Sequence, residues 1–245
     1  MRRYPVLNLW VDDCNMEKAL AQVMEYVDKG EKVHTIFASN PEKNYSVPKD
    51  AFLYDMFRKA DLLIPDGIGM VLASRLLYNT DVQRVPGCEL MQNICKMSAD
   101  KGYKIFIYGA KKEVNEAAVD ELKTRHSSIQ IVGSQDGYLS DDEMDGLIDR
   151  INASKAQILF LALGSPKQEM WISRYRTQLK NVRVCQGIGG TLDVLAGTVK
   201  RAPDFFCKMG IEWLYRLISE PKRLKRQIRL PFFAAQVIQA KLLRK

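Results

Sequence analysis

The chain has 245 residues, 47% of them hydrophobic, enough for one full core or two small ones. Five cysteines (14, 88, 95, 185 and 207), an odd number with no C-x-x-C pair, argue against a disulfide framework and for reduced thiols in a cytoplasmic compartment. The net charge is +8, but residues 200–245 hold twelve basic residues against three acids, so the first 199 residues carry only −1 and the excess belongs to the tail.

The chain opens on a basic stretch over residues 1–10. Asp12 and Asp13 interrupt any apolar region after it, so no secretory signal is expected. No apolar run approaches the roughly 20 residues of a spanning helix. Short apolar runs then alternate with helical patterns. Strands are predicted at 6–11, 33–38, 61–65, 104–108, 129–132, 157–163 and 182–186. Helices are predicted at 16–29, 51–60, 67–77, 88–101, 111–125, 141–153, 166–178 and 191–196. This alternation predicts an α/β body over 1–199, built on a mainly parallel, Rossmann-like sheet with helices on both faces. A composition break near 198–203 separates it from a basic, amphipathic, helical appendage over 200–245; a weaker seam lies near 81–87.

Four strand ends carry polar residues. In Phe37-Ala38-Ser39-Asn40-Pro41-Glu42, Asn40 precedes a proline suited to a first helical turn, where a capping role competes with a ligand role. In Leu62-Leu63-Ile64-Pro65-Asp66-Gly67-Ile68-Gly69, Asp66 is a cap or a general base, and the glycines let a ligand approach the backbone. The most informative segment is Ile158-Leu159-Phe160-Leu161-Ala162-Leu163-Gly164-Ser165-Pro166-Lys167-Gln168-Glu169. It reads as a buried strand, a small-residue turn and a helix with Pro166 at its first position, a juncture whose unpaired N–H groups suit phosphate. An ordinary strand–turn–helix with a solvated turn fits it as well. In Gln186-Gly187-Ile188-Gly189-Gly190-Thr191-Leu192-Asp193 a strand enters a glycine-rich loop, either a phosphate cradle or a tightly packed turn.

Absences narrow the chemistry. The chain has no Walker A motif, complete G-x-G-x-x-G, D-x-D or G-x-S-x-G elbow. Asp141-Asp142-Glu143 reads as the acidic first turn of a helix. His34 and His126 share no ligand spacing with the cysteines, so no metal is expected.

Taken together and in order, eight blocks resemble the WecG/TagA/CpsF family of bacterial glycosyltransferases, over nearly the whole chain. They are Ser39-Asn40-Pro41-Glu42, Leu63-Ile64-Pro65-Asp66-Gly67-Ile68-Gly69, Arg84-Val85-Pro86-Gly87, Asp136-Gly137-Tyr138, Leu163 to Glu169, Gly187-Ile188-Gly189-Gly190, 196–203 and the stretch from Glu212 to Arg223. Ala38 stands where members often have Thr, which removes a hydroxyl from that position.

The resemblance implies a metal-independent, inverting transferase without a cofactor. It moves an N-acetylhexosamine, N-acetylmannosamine in the best-known branch, from a UDP-sugar donor to the N-acetylglucosamine of a polyprenyl-diphosphate acceptor, as in wall teichoic acid synthesis. Other branches use the uronic acid or glucose. Under this reading 1–199 is catalytic: Asp66 is the general base, Asn40 positions a sugar, Gln168 hydrogen-bonds donor or acceptor, and Arg84 offsets diphosphate charge. Tyr138 stacks on uracil, while Gly164, Ser165, Lys167, Gly187, Gly189, Gly190 and Asp193 hold the rest of the donor.

The appendage is expected to bind the anionic inner face of the cell membrane peripherally, with Arg216, Lys222, Arg223 and Arg226 meeting lipid or the diphosphate. Each Lys or Arg near such a leaflet contributes roughly 1 kcal/mol. Two other readings stay open: a nucleic-acid-binding protein with a basic arm, and a cytoplasmic nucleotide-sugar enzyme with a solvated tail. The aliphatic content of the tail (Phe232, Phe233, Val237, Ile238, Leu242, Leu243) favours an interfacial helix over nucleic acid. A homo-oligomer stays open.

Overall fold

The computed structural model describes residues 1–199, 203, 205–206, 215 and 229–243. Arg216, Lys222, Arg223 and Arg226 lie outside the described residues.

The first strand predicted, 6–11, is instead an antiparallel hairpin of β1 (Arg3–Val6) and β2 (Leu9–Asp12). Leu7, at φ 55°, and Asn8 reverse the chain, so that Val6 pairs with Leu9. Asp12 pins this hairpin to the body. Its buried carboxylate takes the Arg3 guanidinium at 2.7 Å and the Leu63 N–H at 2.7 Å.

The other strands form one six-stranded sheet: β3 (His34–Ser39), β4 (Leu62–Pro65), β5 (Lys104–Gly109), β6 (Gln130–Gln135), β7 (Ile158–Ala162) and β8 (Val184–Gly187). All pairings are parallel, in the order β4-β3-β8-β7-β5-β6. The helices are α1 (Met16–Lys29), α2 (Lys43–Ser46), α3 (Ala51–Lys59), α4 (Ile68–Tyr78), α5 (Gly87–Lys101), α6 (Lys112–Arg125), α7 (Met144–Ser154), α8 (Lys167–Tyr175), α9 (Thr191–Leu195) and α10 (Arg229–Leu243).

Strand alternation sorts the core into two layers. Leu63, Leu159 and Leu161 point to the face covered by α3, α4, α7, α8 and the hairpin. Leu62, Ile64, Ile158 and Phe160 point to the face covered by α1, α5, α6 and α9. Both faces are therefore covered, as the uninterrupted apolar runs imply. Gly109, at φ +127°, is a point of close approach: a Cβ there would lie 2.5 Å from the Ala162 carbonyl carbon.

The helix predicted at 141–153 begins with a 3₁₀ turn, Asp141–Glu143, closed by a Ser140–Glu143 capping box. Pro166 stands just before α8 instead of at its first position, after a cis Ser165–Pro166 peptide bond. The appendage helix α10 packs against α4 and buries Phe233 and Val237, each 4% exposed, in the same core layer as Phe37 and Leu63.

Candidate active site

A parallel sheet puts all its strand-to-helix turns on one edge, and here four neighbouring strands, β4, β3, β8 and β7, end beneath one cavity of about 1360 Å³. Among the predicted site residues, Asn40, Asp66, Arg84, Gly164, Ser165, Gln168, Gly187, Gly189, Gly190 and Asp193 all line it.

Asp66 leaves β4 and precedes Gly67, the N-cap of α4. Its Oδ1 accepts the Gly87 N–H at 2.7 Å. Gly87 opens the 15-residue helix α5, so one carboxylate oxygen faces the positive end of a helix dipole. Arg84 Nε donates to the Asp66 main-chain oxygen at 3.0 Å, so this arginine holds the turn as well as lining the cavity. With Oδ1 tied down, Oδ2 is the oxygen available to a substrate proton.

Asn40 follows β3. Its Oδ1 accepts the Lys43 N–H at 3.0 Å, a capping contact, which leaves the Nδ2 donors uncommitted beside the cavity that Asn40 lines. The two-turn stretch it starts, α2 and a 3₁₀ turn Val47–Lys49, was not predicted, because Lys43-Asn44-Tyr45-Ser46 has no apolar period.

Gln168 sits in the first turn of α8, only 4% exposed. Its Oε1 accepts the Gly189 N–H at 3.3 Å, and its Nε2 reaches Glu169 Oε1 at 3.4 Å. The amide lies close against Gly187 at the end of β8: a Cβ there would meet Gln168 Nε2 at 2.3 Å. The glycine loop is therefore shaped around this side chain. Gly189 is left-handed at φ +52°, which carries the chain from β8 toward α9.

Glu169 and Lys43 went unassigned in the sequence. Glu169 is fully buried and its Oε2 has no partner. Its Oε1 faces the Lys43 ammonium at 3.4 Å, and that ammonium stands 4.7 Å from the centre of the Phe57 ring. Lys43 and Glu42 also line the cavity, as do Cys88 on α5 and Arg229 on α10. Cys14 and Cys95 are structural, since burial pushes both thiols up to about 12.

Tyr138 and Lys167 are not on the cavity wall. Lys167, the first residue of α8, is exposed, and Tyr138 is 72% exposed, its N–H held by Asp136 Oδ1 at 3.0 Å. The Tyr138 turn follows β6, the edge strand. Two strand spacings separate β6 from β7, about 10 Å. Among the described residues no helix is long and apolar enough to cross a membrane, and no cluster of three His, Cys, Asp or Glu is placed to hold a metal ion.

An open parallel sheet with a carboxylate, a carboxamide and a glycine loop around one large cleft at its carboxyl edge fits a group-transferring enzyme. The chain belongs to the WecG/TagA/CpsF family of glycosyl transferases, whose model matches residues 4–245. Over 224 residues, 90% of this chain and 86% of the relative, it is 34% identical to the N-acetylglucosaminyldiphosphoundecaprenol N-acetyl-beta-D-mannosaminyltransferase of Bacillus subtilis (strain 168). It is therefore a glycosyltransferase.

Proposed function

We propose that this enzyme transfers N-acetylmannosamine from UDP to the N-acetylglucosamine of a polyprenyl-diphosphate acceptor, with inversion, at the cytoplasmic face of the membrane, in synthesis of a wall polymer such as teichoic acid. The observation that carries this is the Asp66 carboxylate, fixed through one oxygen and open through the other, in the cavity that also holds Gln168 and the glycine loop. The name of the Bacillus subtilis relative gives the sugar and the lipid acceptor.

In this mechanism Asp66 Oδ2 accepts the proton of the acceptor hydroxyl as that oxygen attacks the anomeric carbon from the side opposite UDP. Asn40 Nδ2 hydrogen-bonds a sugar oxygen. Arg84 and the Gly190 N–H face the charge that develops on the departing diphosphate, the Ile188 and Gly189 N–H groups being held by the Leu161 carbonyl and Gln168. The sequence has no D-x-D carboxylate pair, and in this mechanism these groups offset the charge without a metal ion. Tyr138 and Lys167 meet the donor only if their turns close over it.

The test offers a panel of UDP-sugars with a polyprenyl-diphosphate N-acetylglucosamine analogue and reads the product by mass spectrometry, with and without EDTA. The expected product carries N-acetylmannosamine, and EDTA leaves its rate unchanged. Asp66→Asn should lower kcat by 10²- to 10⁴-fold with the fold intact. Near-normal turnover of that variant overturns the base assignment, and an EDTA loss restored by magnesium overturns the metal-free one.

A further inference from the structure

The cavity extends past its polar floor. The helix α4 starts beside Asp66 and carries Ile68, Leu72 and Leu76 at four-residue spacing along the cavity wall. At 1.5 Å per residue this apolar stripe leads about 12 Å away from the carboxylate. Facing it, α10 contributes Leu230, Phe233 and Ile238. The two helices meet where α4 has no side chain: Phe233 Cε1 lies 3.6 Å from the position a Cβ on Gly69 would take.

A groove between two packed helices ordinarily closes over its leucines, but this one does not. Leu72 is 57% exposed, Leu76 43% and Ile238 54%, although all three line the cavity. Large apolar side chains left wet inside a concave site mark a place for an apolar ligand. Arg229, the first residue of α10, lines the same cavity, its guanidinium 5.8 Å from the centre of the Tyr45 ring. One cavity wall thus offers a carboxylate and carboxamides, a guanidinium and aliphatic carbon. A sugar on a diphosphate on an isoprenoid chain presents the chemistry that matches these three.

We infer that the groove between α4 and α10 binds the phosphate-proximal isoprene units of the acceptor, with Arg229 pairing its diphosphate. This rests on the acceptor named under Proposed function. The residues used here line the same cavity as Asp66, within reach of a chain attached to the acceptor sugar, and this continuity favours the acceptor's own lipid over a bilayer surface or a second copy of the chain.

The test uses the full-length enzyme without membranes and N-acetylglucosamine diphosphates bearing one to four isoprene units, below their critical micelle concentrations. Each buried methylene is worth roughly a fourfold gain, so kcat/KM should rise at least tenfold per unit over the first two or three units and then level off. In Leu72→Ser/Leu76→Ser the four-unit to one-unit ratio of kcat/KM should fall at least tenfold, and Arg229→Gln should raise KM for every acceptor. Both leucines are largely exposed, so the double variant keeps the fold. A wild-type ratio near one overturns the inference. So does a double variant that keeps the ratio, whether it loses vesicle binding, which would make the face a leaflet contact, or changes sedimentation, which would make it a contact between copies. If no acceptor is glycosylated, geranylgeranyl diphosphate binding by calorimetry decides. Binding to the wild type but not to the double variant upholds the groove while the proposed reaction falls; no binding to either removes the groove as well.

Discussion

Replacing Gly187 by alanine separates the shape of the site from the stability of the fold. Gly187 does not need a left-handed backbone, so alanine is conformationally acceptable, and restricting the unfolded chain offers about 0.4–1 kcal/mol of stabilisation. The obstacle is one side chain: the new Cβ would sit 2.3 Å from Gln168 Nε2, 2.7 Å from its Cδ and 3.3 Å from its Cγ. Ordinary contact begins near 3.5 Å, so the carboxamide must withdraw by about 1 Å. That movement breaks the 3.3 Å bond from the Gly189 N–H and turns the amide away from the cavity. A 1 Å misplacement in an active site costs roughly 100-fold, about 2.7 kcal/mol of transition-state stabilisation. Steady-state kinetics on purified Gly187→Ala should therefore show kcat/KM reduced about 100-fold with Tm shifted by only a few degrees. On a Gln168→Ala background the clash is gone, and adding Gly187→Ala should cost little more, a strongly non-additive cycle. Activity within twofold of wild type, or losses that add across the cycle, would refute the role given to Gln168.

Lys43→Met strands the buried Glu169 carboxylate, whose Oε2 already lacks a partner, and should cost about 3–5 kcal/mol in urea unfolding; Lys43→Met/Glu169→Met should recover most of it. Equal stability of the single and double variants would show that the pair is not coupled. At the opposite edge of the sheet, burial pushes the Asp61 carboxyl up, but the Thr35 N–H at 2.9 Å, Lys32 at 2.9 Å and His34 outweigh it and hold the group below its usual range. Its folded value is depressed, so its contribution is complete above the ordinary carboxylate value of about 3.9 and is lost as pH falls through the folded value. Asp61→Asn should accordingly lower the urea midpoint at pH 7 and flatten its decline between pH 5 and 3; parallel declines would contradict this. Asp12→Ala leaves Arg3 and the Leu63 N–H without their acceptor and should lower stability by about 3 kcal/mol, read as a shift in urea midpoint at unchanged m-value.

Apolar period and strand ends carried most of the fold into view from the sequence, because a sheet covered on both faces leaves long uninterrupted apolar runs such as Ile158–Ala162. The hairpin escaped because Leu7, a branched residue at φ 55°, does not announce a turn. In the site, small or polar residues just after a strand were legible, since the parallel sheet brings Asn40, Asp66 and Gly189 to one cavity at its carboxyl edge. Pairings across the sheet were not. Glu169 sits beside Gln168 in sequence, yet its partner Lys43 is 126 residues away on α2, and nothing local signals that contact. Tyr138 shows the reverse failure. Its turn is as polar as the others, but strand order, which the sequence does not encode locally, places it at the sheet's edge.

Helix packing decides how the appendage relates to the body. The composition break near residue 200 suggests a detachable tail. Packing divides the chain elsewhere. Phe233 and Val237 sit four residues apart on α10 and join Met70, Ala73 and Leu77 of α4 in the same core layer as Phe37 of β3. The Tyr45 hydroxyl on α2 donates to Gln236 Oε1 at 2.9 Å, tying α10 to the helix that follows Asn40. Elements at the two ends of the chain thus share walls of one cavity. Fully burying each of two large side chains contributes roughly 1.5–3 kcal/mol, so a chain cut before α10 loses several kcal/mol of packing as well as any membrane contact. Loss of activity on truncation would therefore not separate recruitment from catalysis. Substitutions at exposed positions of α10 such as Leu243, 79% exposed and off the cavity wall, act on the outer face without disturbing the core.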